Sequence, residues 1–100
     1  NVSPSWFGFP IIINKIDKIN KDKFMNYLNK CGIETRPILS GNFLNQPSAK
    51  LYKLNTANLK FDISQMIEDK GFFIGLPTDH ITDEKIIFLS EKLMNIDKFQ

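Results

Sequence analysis

This 100-residue chain is poor in the residues that most often announce a chemistry, with one cysteine, one histidine and one tryptophan. A single cysteine, Cys31, excludes an internal disulfide framework and fits a reducing cytosolic setting. With only His80 beside it, a zinc site of the usual Cys/His kind cannot be assembled within the chain. There is no G-x-G-x-x-G or phosphate-loop pattern and no nucleophile elbow. The longest apolar run, residues 6–13, is too short for a bilayer and is broken by Pro10. The net charge of +2 is spread over lysines interleaved with acids, so no basic stripe for nucleic acid is present. Neither a membrane nor a nucleic-acid partner is expected.

At 42% hydrophobic and 24% charged residues, the composition is that of one ordinary globular domain. Residues 6–13 are bulky and β-branched and predict a strand, with Pro10 placing it at a sheet edge. A polar connection, 14–19, leads to a helix over 20–31, capped by Asn20 and presenting Phe24, Tyr27, Leu28 and Cys31 on one face. Gly32 is placed to end it. Residues 33–38 form a second strand, since the residue before Pro37 is pushed to extended backbone.

Residues 39–58 have no clean period beyond a helical turn near 48–52. Asp62 is expected to cap a short helix over 63–70 with Ile63, Met66 and Ile67 inward, and Gly71 to stop it. Residues 72–76 form a third strand. Thr82, followed by Asp83 and Glu84, opens a last helix whose stripe is Ile86, Ile87, Leu89, Leu93, Met94 and Ile96. The expected fold class is therefore α+β, two layers, with helices on one face of a three-stranded sheet.

Arg36 is the only arginine and sits on extended backbone before a Pro- and Gly-containing loop. Its planar five-donor fork suits phosphate or carboxylate; the plainer reading is a surface ion pair, for instance with Glu34. Asn42, Asn45 and Gln46 carry amides suited to sugar hydroxyls, or serve as turn residues. Trp6, Phe7, Phe9, Phe72 and Phe73 could build an aromatic platform, but most are expected in the core. Lys50 and Lys53 lie near the irregular loop with nothing to activate them, and His80 precedes a helix without a partner. Nothing in the sequence supports catalysis by this chain alone.

Three tracts, residues 5–10 (Ser-Trp-Phe-Gly-Phe-Pro), 32–47 (containing Gly-Asn-Phe-Leu-x-Gln-Pro) and 71–77, resemble the C-terminal small domain of the DegT/DnrJ/StrS family. These are pyridoxal-phosphate enzymes that modify nucleotide-linked keto sugars, and the branch most similar is that of the 4-keto-6-deoxy-sugar 3-dehydrases. Asn45 stands where that branch commonly carries arginine. The resemblance implies that residues 1–100 are a single C-terminal small domain cut from a longer, cytoplasmic, homodimeric enzyme of the fold-type I aminotransferase architecture. The large domain would hold pyridoxal phosphate, so the fragment alone would be inactive. Arg36 would face the nucleotide-sugar, Asn42 and Gln46 would line the pocket, and Trp6 and Phe7 would shape its apolar side. Transamination or 3-dehydration, in lipopolysaccharide or other surface-glycan synthesis, would be decided by a residue of the large domain. The alternatives are a stand-alone, non-catalytic ligand-binding or regulatory module, and a dimerisation element.

Overall fold

The computed structural model describes residues 2–14, 18–54 and 59–100. Two expected connecting pieces, residues 15–17 and 55–58, lie outside them. The element order is β1 (Gly8–Ile12), α1 (Lys21–Lys30), β2 (Thr35–Pro37), a 3-10 turn (Phe43–Asn45), α2 (Pro47–Leu51), α3 (Asp62–Lys70), β3 (Gly71–Gly75), α4 (Asp83–Leu93) and a 3-10 segment (Met94–Phe99).

The three strands form one antiparallel sheet in the order β1-β3-β2. Both prolines of the sheet, Pro10 and Pro37, therefore sit on edge strands, where a missing N–H costs no central ladder bond. The register sorts the side chains into two faces. Phe9, Ile11, Thr35, Pro37, Phe72 and Ile74 share the inner face; Gly8, Pro10, Ile12, Arg36 and Phe73 share the other.

The inner face carries the core. Phe24, Leu28 and Phe72 are fully buried, joined by Ile13, Ile19, Ile33 and Ile74. Each such side chain contributes roughly 1.5–3 kcal/mol before conformational entropy is subtracted. Phe24 meets Phe72 edge-on at 6.1 Å and Phe99 at 5.4 Å, so α1 and the C-terminal 3-10 segment close over the central strand. The same segment accepts the Asn20 N–H at its Phe99 carbonyl (2.8 Å). Asn29 Oδ1 takes both the N–H (2.9 Å) and the hydroxyl (3.2 Å) of Thr35, fixing β2 to α1.

The Asn20 side chain accepts from the Lys23 N–H at 3.0 Å, and Gly32 leaves the helix at φ +82, both as expected. Three local expectations need correction. Asp62 lies inside the first turn of α3 while Phe61 occupies the cap without a side-chain bond, because the chain enters the helix one residue earlier. Gly71 does end α3 as expected, but on extended backbone and as the first residue of β3, one residue earlier than expected, so α3 runs into the central strand without a connecting turn. Trp6, Phe7 and Phe9 are exposed, as are Ile63, Ile86, Ile87 and Met94; only Phe72 of the expected aromatic group is fully buried.

Candidate functional site

Of the five residues singled out for binding, Arg36, Phe7 and Trp6 belong to the side of the sheet away from the core or to the segment leading to it. Register places Arg36 opposite Phe73 and Phe73 opposite Pro10, one row across three strands. The Phe7 ring meets Phe73 edge-to-face at 5.7 Å and 78°. Gly8 makes that possible: a Cβ there would stand 2.7 Å from a Phe73 ring carbon. The buried sheet residues of the core cluster, Phe72 and Ile74, point to the opposite face. The result is an apolar floor of Phe7, Pro10, Ile12 and Phe73 with one guanidinium at its border. Trp6, 69% exposed, precedes it.

Arg36 donates from Nε (2.9 Å) and Nη2 (2.6 Å) to Glu34 Oε1, which is the surface pair that the plainer reading anticipated. Both side chains are 67% exposed, so the contact orients the fork more than it stabilises the fold.

Asn42 and Gln46 lie instead in a loop latched to α3. The Gly41 N–H donates to the Ile38 carbonyl at 2.8 Å, closing a turn in which Leu39 is held at φ +38 and Gly41 at φ +56. The Asn42 N–H donates to Glu68 Oε2 at 2.7 Å, and its amide donates to Gln65 Oε1 at 3.1 Å. Its Oδ1 caps the following turn by accepting from the Leu44 N–H at 3.2 Å. The Asn45 amide donates to Gln65 (2.9 Å) and to both oxygens of Glu68 (3.1 Å each). Gln46 Nε2 donates to the Ser40 carbonyl at 3.3 Å.

A small cavity of about 180 Å³ opens between this loop and the end of β2, lined by Pro37, Ile38, Leu39, Ser40, Gly41, Gln46 and Glu68. Gln46 is part of its wall and Arg36 lies one residue before it. Trp6, Phe7 and Asn42 are not in that wall. The structure thus divides the five residues into two neighbouring groups, an aromatic and cationic sheet face and an amide loop, which meet where β2 ends. Glu68 and Gln65, which organise the loop, were missed by sequence reasoning because each looks like an ordinary solvated helix residue. The spacing of three on one helix face was the only available signal.

Elsewhere, Lys50 and Lys53 border an open hollow of about 380 Å³ with Leu44, Ala49 and Leu54. That hollow has no aromatic wall and no acid among its lining residues. Lys21 is occupied with the Glu68 carbonyl at 2.6 Å. Among the described residues no group of His, Cys, Asp and Glu could hold a metal ion, and no helix is long and apolar enough to cross a membrane.

No protein-family model matches the chain. Individual relatives do. A GDP-4-keto-6-deoxy-D-mannose 3-dehydratase of Escherichia coli O55:H7 is 36% identical over 89 residues, covering 89% of this chain and 23% of that protein. The lipopolysaccharide biosynthesis protein RfbH of Salmonella typhimurium is 28% identical over 81 residues, 78% of this chain and 18% of that protein. Among solved structures, a GDP-4-keto-6-deoxymannose-3-dehydratase with a trapped PLP–glutamate geminal diamine superposes with a TM-score of 0.75 at 36% identity, covering 88% of this chain and 22% of that one. A second structure of that enzyme, with bound GDP-perosamine, gives 0.74 at 34% identity, covering 86% and 22%. The chain spans between 18% and 23% of the length of these relatives. Along nearly nine-tenths of its own length it is homologous to one segment of the PLP-dependent GDP-4-keto-6-deoxy-mannose 3-dehydratases.

Proposed function

We propose that this chain is the C-terminal small domain of a PLP-dependent enzyme acting on a nucleotide-linked 4-keto-6-deoxy hexose, with 3-dehydration favoured over transamination. The observation that carries the reading is the superposition, over 88% of the chain, on a 3-dehydratase crystallised with a PLP–glutamate adduct. A relative named for lipopolysaccharide biosynthesis supports a place in surface-glycan synthesis. Residues 1–100 form one domain in this reading, and the intact enzyme is a cytoplasmic homodimer.

Pyridoxal phosphate, when bound, supplies an electron sink for the sugar. It would be held by parts of the enzyme outside this chain. What these residues contribute is binding and enclosure. Arg36 anchors an anionic group of the nucleotide-sugar, exchanging one acceptor, Glu34, for another. Phe7 and Trp6 supply an apolar flank, and covering the sheet face excludes water from it. Gln46, with Asn42 behind it, provides the polar wall. The stand-alone module is disfavoured because Arg36 and Phe7 stay exposed among the described residues.

The test is to purify the full-length protein with PLP and supply GDP-4-keto-6-deoxy-mannose with glutamate. Loss of the sugar's C3 hydroxyl is the expected outcome. An amine gained at C4 would replace dehydration by transamination, and an unchanged sugar would defeat the proposal.

A further inference from the structure

We propose that Glu68 is a positioning residue: its carboxylate sets the amide loop of residues 38–46, and thereby where Gln46 and the end of β2 meet a ligand. This rests on the reading of that loop as one wall of a nucleotide-sugar site.

Three observations carry it. First, apolar burial holds the loop only in part, since Ile38 and Leu44 are no more than half-buried. Leu39 is 87% exposed and Phe43 48%, and the one buried residue of the loop is Asn42, a polar one. Hydrogen bonds supply the rest of the hold, and Glu68 accepts the shortest of them, the 2.7 Å bond from the Asn42 N–H. A bond to an ionised acceptor is about twice as strong as a neutral one. The same carboxylate accepts the Asn45 amide at both oxygens.

Second, the loop backbone rests on the Glu68 side chain. A Cβ on Gly41 would lie 2.6 Å from Glu68 Cβ and 2.8 Å from its Cγ, so the loop approaches as closely as a glycine permits. Third, Glu68 stands in the last turn of α3, which continues directly into the central strand. Its carbonyl is tied to α1 through Lys21 Nζ. The carboxylate is thus referenced to the sheet and to the core, while its far side faces the cavity that Gln46 also lines.

The experiment uses the intact enzyme and the variants Glu68→Gln and Asn45→Ala, read by amide hydrogen exchange and by steady-state kinetics with GDP-4-keto-6-deoxy-mannose. Glu68→Gln keeps the shape and removes the charge. Exchange at residues 41–45 should accelerate by about tenfold or more, while amides of α1 keep their protection. KM should rise by a similar factor of about ten with kcat and the cofactor's visible spectrum little changed. Asn45→Ala, which leaves the carboxylate and the Asn42 bond in place, should produce a smaller change of the same sign. Unaltered exchange at 41–45 in Glu68→Gln, or acceleration spread equally over α1, would overturn the proposal. So would faster exchange at 41–45 with an unchanged KM. If the wild-type enzyme leaves the sugar untouched, the functional reading fails, and the exchange data alone still decide whether Glu68 fixes the loop.

Discussion

Gly41 couples a backbone demand to a packing demand in one position. At φ +56 it lies in the left-handed region that side chains rarely enter, and its Cα side is closed by Glu68. Gly41→Ala should lower stability by about 1–3 kcal/mol, measured as a shift of the thermal midpoint. Arg36 behaves in the opposite manner. Its ion pair with Glu34 is exposed, so Arg36→Lys should change stability by less than about 1 kcal/mol. In the intact enzyme the same substitution should lower kcat/KM by about tenfold or more, since a point charge cannot reproduce two parallel N–H donors. Unchanged kinetics would take Arg36 out of the site. Its candidacy was legible in the sequence because it is the sole arginine, before a proline that forces extended backbone. The engagement of Asn42 was not, since an Asn in a Gly-containing loop looks the same whether its amide meets a ligand or Gln65.

Among the elements, α1 was the most legible and is energetically the most important. Asn20, the spacing of Phe24 and Leu28, and Gly32 all state the same helix, and the structure follows. Leu28→Ala should cost about 2–5 kcal/mol and Phe24→Ala about 3–5, because both are fully buried against the sheet or the C-terminal segment. Chemical denaturation with a fixed m-value checks this. Ile87→Ala on α4 should cost far less, within about 0.5 kcal/mol in this chain, as the side chain is 59% exposed. Periodicity overstated α4 for a physical reason: it reports which face is apolar, not what covers it. Leu89, Leu93 and Ile96 do pack on the core, whereas Ile86, Ile87 and Met94 do not. The boundary of α3 was missed because Asp62 satisfies the composition of a cap without occupying its position.

For the whole molecule, the accessible surface is 8141 Å², against roughly 5800 Å² expected of a folded monomer of 11.6 kDa. The radius of gyration, 16.3 Å, likewise exceeds the ~13 Å of a compact 100-residue domain. The excess surface, about 2300 Å², is of the size buried in obligate interfaces. Much of it is apolar, including Trp6, Phe7, Phe9 and the outer side of α4. Under the proposed function, this surface is what the rest of the enzyme covers. Expressed by itself, the 100-residue chain should bind a hydrophobic dye and self-associate, and joined to the rest of the enzyme it should do neither. The most direct measurement is a crystal structure of the intact enzyme with GDP-perosamine or a related nucleotide-sugar bound. Under the proposed function the ligand lies against the sheet face of Phe7 and Phe73, within hydrogen-bond reach of Arg36 or of the loop of residues 38–46. A ligand enclosed elsewhere, with that face buried against apolar side chains alone, would contradict it.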